Sequence, residues 1–185
     1  MTQYYRLDRK LRADSTLLFQ RSHRMTRLRT GKPYRDDFEE PFVCFLDEDT
    51  ADCPLATLYT SPAHIVSDAI LGDLRELGID NFEAKRTVID DDERALRHEG
   101  YWLLNVLDCV HCVVMPASDH QHLGPGMDVI DEVVLDPARI PDRELFLLGE
   151  DPAVMVISER VHDHLASRGY PDLFFDPIRV LDPEA

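Results

Sequence analysis

Residues Tyr101 to Cys112 read YWLLNVLDCVHC, an apolar run interrupted only by Asn105, Asp108 and His111. A long apolar run between polar, turn-rich flanks marks a strand buried on both faces rather than a half-exposed one. The pattern predicts one strand over residues 101–114. Alternation places Asn105 on the face of Leu103 and Leu107, so its amide is expected to be buried and hydrogen-bonded, pinning strand register or a neighbouring loop. Asp108 falls on the opposite face with Val106 and Val110, placed to cap a loop or pair with an arginine.

Working outward, the run lies between two stretches of matching grammar. Set Ile65–Ile89 beneath Val156–Val180, an offset of 91 residues. Ile65-Val66-Ser67-Asp68 then meets Val156-Ile157-Ser158-Glu159, Leu74 meets Leu165, and Gly78 meets Gly169. Each copy has β-branched residues, a serine, an acid, a helix of about ten residues, a glycine and a strand. The serine suits an N-cap, its hydroxyl accepting from an unpaired backbone N–H. The acid complements the helix dipole, and the glycine can take the left-handed conformation that ends the helix. Ser67 and Ser158 therefore read as helix starts and not as nucleophiles. Such an echo is what an internal duplication would leave.

Further strands are predicted at Tyr4–Leu7, Phe42–Leu46, Val129–Leu135 and Leu145–Leu148, with polar loops at Asp52–Pro62 and Pro116–Met127. Strands and helices alternate without a strict βαβ rhythm. The expected fold class is α+β: a single domain over 1–185, with a mixed β-sheet and two serine-capped helices. A chain of 185 residues can bury a core without disulfides or metal.

The ordered set IVSDAILGDLRELGIDN, YWLLNVLDCVHC, VVLDPARI, ELFLL and VMVISERVHDHLASRGYPDLFFDPI resembles immunity protein family eleven of bacterial polymorphic toxin systems, formerly a domain of unknown function. The resemblance covers residues Ile65 to Ile178. It implies a protein that silences a cognate protein toxin by binding it, with no catalysis and no cofactor of its own. It also implies an aspartate followed by a cysteine near the end of the 101–114 strand. His111 stands at the aspartate position here and Cys112 at the cysteine, which reads as core packing.

Charge is unevenly placed. Residues 1–35 hold ten Lys/Arg against two acids, a net of +8, while residues 36–185 carry −24, for a total of −16. A field of that size attracts cationic partners and repels nucleic acid from most of the surface. The chain thus divides into a basic N-terminal segment, 1–35, and an acidic α+β body, 36–185. Two acidic runs stand out as docking edges for a basic toxin: Asp36-Asp37-Phe38-Glu39-Glu40 and Asp90-Asp91-Asp92-Glu93. The first is preferred, because Phe38 would supply an apolar anchor among charges. The bland alternative for both is a solvated loop.

Cys109, His111 and Cys112, with His120 and His122 beyond, carry the rival reading: a metal-binding or thiol enzyme centred on residues 109–122. The ligand types suit zinc. The spacing does not, since Cys112 to His120 is short for a finger and no second C-x-x-C exists. Alternation also turns Cys112 away from Cys109 and His111. No metal site and no catalytic residue is assigned. A third reading, in which the basic segment touches RNA or phosphate, is opposed by the acidic remainder. The charged start MTQYYRLDRKLRAD lacks the apolar core of a signal peptide, and no run is long enough to span a bilayer. The four cysteines are then expected as reduced thiols, in a cytoplasmic protein without membrane attachment.

Overall fold

The computed structural model describes residues 2–10, 16–19, 29–34, 40–50, 52–61, 63–124 and 127–182, with backbone alone at 19, 121–124, 127–129 and 131. The first half holds β3 (Phe42–Leu46), β4 (Leu58–Tyr59), β5 (Ile65–Ser67), α1 (Asp68–Glu76), β6 (Phe82–Asp91) and β7 (Leu96–Val106). The second holds β11 (Val134–Leu135), β12 (Leu145–Leu148), β13 (Met155–Ser158), α2 (Glu159–Arg168) and β14 (Leu173–Val180). The remaining strands are β1 (Tyr4–Arg9), β2 (Leu17–Phe19), β8 (Cys109–Val110), β9 (Asp119–Gly124) and β10 (Met127–Glu132).

Two six-stranded mixed sheets result, where the sequence suggested one. The first sheet runs β2-β3-β6-β7-β5-β4 and the second β11-β14-β1-β13-β12-β8, with β9 and β10 as a separate hairpin. The α+β class stands, and the echo extends into topology. β3 lies parallel to β6 as β11 does to β14, and β4 antiparallel to β5 as β12 does to β13. Between β6 and β5 lies β7; between β14 and β13 lies β1, from the far end of the chain. Register agrees. Tyr101 stands opposite Ser67 and Thr87, and Tyr4 opposite Ser158 and Ile178. The second half thus repeats the topology of the first, with β1 standing where β7 stands.

The copies close over a shared core. Val66, Ile70 and Leu74 from one half lie in one buried cluster with Ile157, Val161 and Leu165, their counterparts at the same offset. Each such side chain contributes about 1.5–3 kcal/mol on burial. Matching positions after the helices reach across the interface. Asp172 accepts from the Thr57 N–H at 2.5 Å and from its hydroxyl at 2.8 Å, just before β4. Asn81, its counterpart, donates to the Leu145 carbonyl at 2.8 Å where β12 begins. Outer faces are covered separately, the first sheet around Cys44, Ile65, Ile89 and Leu103, the second around Tyr4, Cys112, Phe146 and Val156.

Both serines occupy N-cap positions with extended backbones, but only one forms the expected bond. The Ser158 hydroxyl accepts from the Val161 N–H at 3.4 Å. The Ser67 hydroxyl makes no capping bond and is buried without a hydrogen-bond partner. At the other end of α2, Gly169 adopts the left-handed cap, φ 71°.

Candidate partner-binding surface

The two acidic runs fare differently. Asp36 to Glu39, with Phe38, lie outside the described residues. Glu40 is described: its carboxylate meets Lys85 at 3.2 Å, and that contact holds it below the usual carboxylate range. Asp90 and Asp91 end β6, and Asp92 and Glu93 begin the turn that leads to β7. Asp90 grips Arg97 through paired bonds of 2.7 and 2.8 Å. Asp91, 2% exposed, accepts from the Arg94 backbone at 3.1 Å and its guanidinium at 2.7 Å. Arg94 reaches on to Asp52. Both aspartates titrate below their ordinary values, chiefly through these arginine bonds. They shape the turn and leave Asp92 and Glu93 exposed at its tip.

A third acidic stretch joins that tip. Because β3 runs parallel to β6, with Phe45 opposite Asp90, both strands end at the same edge. The turn following β3 therefore brings Asp47, Glu48 and Asp49 across a groove of about 320 Å³ from Asp92 and Glu93. Leu18, on the edge strand β2, lines this groove and is 49% exposed. Asp47–Asp49 are not among the docking edges expected from the sequence, since a parallel pairing across more than forty residues has no local signature.

Among the described residues, Cys109, His111, Cys112 and His120 are not brought together as a ligand set. The run 101–112 crosses from one sheet to the other: β7 ends at Val106, and β8 pairs parallel with β12 of the second sheet. Asp108 at the break is held by Asn81 at 2.8 Å and Arg143 at 2.9 Å. Cys109 then packs against the central core and Cys112 is buried under the second sheet. Burial pushes the Cys112 thiol up to about 12, with Glu150 adding to it, and burial raises Cys109 as well. Thiols held protonated are poor nucleophiles. His111 projects outward, its side chain 74% exposed, and His120 is exposed on β9. The His122 side chain lies outside the described residues. Asn105 is buried as expected, donating to the Lys32 carbonyl at 2.9 Å and to Glu83 at 3.2 Å.

Donor atoms of metal-ligand type do converge elsewhere, where Asp73, Glu76 and His164 offer atoms within 4.8 Å of one another between the helices. A cation of the chain already stands there. Arg168 meets Asp73 at 3.0 Å and pairs with Glu76, while the Tyr170 hydroxyl donates to Asp73 at 2.6 Å. This constellation reads as a polar seam joining α1 to α2.

A family model described as the immunity protein family Imm11 matches residues 3–180. The chain belongs to that family. The match begins beside β1 and ends with the last residue of β14, strands that pair in the second sheet, so the Imm11 unit comprises both halves. No curated protein matches the chain. Among the described residues of this Imm11 protein, no helix is long and apolar enough to cross a membrane.

Proposed function

We propose that this Imm11 protein acts in the cytoplasm by binding one cognate toxin and blocking its active site or a surface beside it, without catalysis. Family membership is the observation that carries this reading. The net charge of −16 and the groove between Asp47–Asp49 and Asp92–Glu93 support a basic toxin as partner. Carboxylates steer the encounter, and the exposed Leu18 supplies an apolar contact once the charges have met. Asp90 and Asp91 act by holding the turn that presents Asp92 and Glu93. Asp36, Asp37, Phe38, Glu39 and Glu40 form the second docking edge.

The toxin encoded beside this gene, mixed with the purified protein, should form a stable stoichiometric complex and lose its activity. No complex at micromolar concentration would sink the reading. If the acidic groove steers association, Asp92→Lys with Glu93→Lys slows the association rate by about tenfold at low salt and much less at high salt. An association rate unchanged at low salt would remove the groove from the contact.

A further inference from the structure

The repeat brings two counterpart residues face to face. At the offset of 91, Asp73 of α1 corresponds to His164 of α2, and His164 Nε2 lies 3.4 Å from Asp73 Oδ1. That nitrogen is buried and makes no hydrogen bond. Asp73 is 7% exposed, and its other oxygen, Oδ2, accepts from the Tyr170 hydroxyl, which holds the carboxylate in place. Glu76, one helical turn after Asp73, completes a set of donors within 4.8 Å of one another.

The chemistry of the three suits one class of ion. One imidazole and two carboxylates are zinc ligands, with water in the fourth position. Zinc bonds of about 2.0–2.2 Å set tetrahedral donors about 3.4 Å apart, the spacing that Asp73 and His164 already have. Glu76 has its side chain 62% exposed and can close the remaining gap by rotation. Arg168 is the resident counter-ion, 3.0 Å from Asp73 Oδ1 and paired with Glu76. It is the last residue of α2 and its side chain is 41% exposed, so the guanidinium can turn into water without disturbing the helix. Two carboxylates outweigh one guanidinium, and a divalent ion balances them. The chain's net charge of −16 draws cations toward it.

We propose that Asp73, Glu76 and His164 form a site for a divalent cation of the zinc class, which Arg168 vacates when the ion arrives. The ion and the guanidinium compete for Asp73 Oδ1. Metal binding therefore exchanges an ion pair for a cross-link between α1 of the first half and α2 of the second.

The test titrates zinc calorimetrically into the wild type, Arg168→Gln, Glu76→Gln and His164→Gln, and unfolds each in urea with zinc or with chelator. Arg168→Gln removes the competitor and should bind zinc at least about tenfold more tightly than the wild type. His164→Gln should weaken binding at least about tenfold. Glu76→Gln should do the same at a position too exposed to threaten folding. Zinc should raise the urea midpoint of the wild type, and that of Arg168→Gln further, whereas magnesium, which favours oxygen ligands, should raise neither. No zinc binding by the wild type overturns the site. So does equal affinity in Arg168→Gln and the wild type, or wild-type affinity in His164→Gln and Glu76→Gln.

Discussion

Mild acid should weaken this fold through a single histidine. His64 precedes β5 and is 1% exposed; its ring nitrogen Nε2 lies 3.2 Å from the Ala153 carbonyl, across the boundary between the halves. Burial, followed by the charge of Arg29, pulls its pKa down to about 4, against the opposing pull of the Ala153 carbonyl and Asp8. Arg29 is itself lowered by burial, with Asp151 opposing. In the unfolded chain the imidazole titrates near 6.5, so between the two values the unfolded state holds the extra proton. Stability is therefore full above about pH 6.5 and falls as pH drops toward 4. Linkage puts the loss at about 2 kcal/mol on going from pH 7.5 to 5, with a ceiling of about 3 kcal/mol at lower pH. Urea unfolding of the wild type and His64→Gln at both pH values isolates the effect, because other groups titrate alike in the two proteins. The wild type should lose about 2 kcal/mol more than the variant. Parallel losses would refute the assignment.

Two further outcomes follow from the local geometry. Ser158→Ala should cost about 1 kcal/mol in chemical denaturation, whereas Ser67→Ala, whose hydroxyl forms no cap bond, should cost distinctly less; equal losses would contradict the contrast. Gly31 has φ +66°, and a Cβ there would stand 2.7 Å from the Cys109 sulfur and 2.9 Å from its backbone nitrogen. Gly31→Ala should lower stability by about 1–3 kcal/mol and speed alkylation of Cys109 by lifting the covering segment, and an unchanged midpoint and labelling rate would show that the segment does not pack there.

Where the sequence was legible, the cause was local. The serine, the acid after it and the glycine marked both helices, because caps and left-handed ends depend on a few adjacent residues. Asn105 was legible because alternation on a buried strand leaves its amide no water to bond. The single strand over 101–114 was an error with a clear origin. Both pieces are buried, so the apolar pattern continues through a break made by distant residues, Asn81 and Arg143, holding Asp108. Strand β9 was read as loop because few apolar residues announce it, and the single strand expected over Val129–Leu135 is divided between β10 and β11. The match between β1 and β7 could not be seen by sliding the sequence along itself. One copy carries that strand at its end and the other at the opposite terminus.

The duplication also separates what holds the protein together from what it presents. Positions facing the shared core must fit one cluster drawn from both halves, so Val66, Ile70, Ile157 and Val161 are constrained together. Truncating one buried valine or isoleucine to alanine there costs about 2–4 kcal/mol, a large part of a typical margin of 5–15. The outer additions carry no such constraint. Strand β2 and the acidic turns extend the first half; the β9–β10 hairpin covers part of the second and leaves Phe174 open. Charge at Asp92 or Glu93 can change sign with little cost to folding, because neither side chain is buried. A fold arranged in this way can hold its core fixed while its outer surface changes.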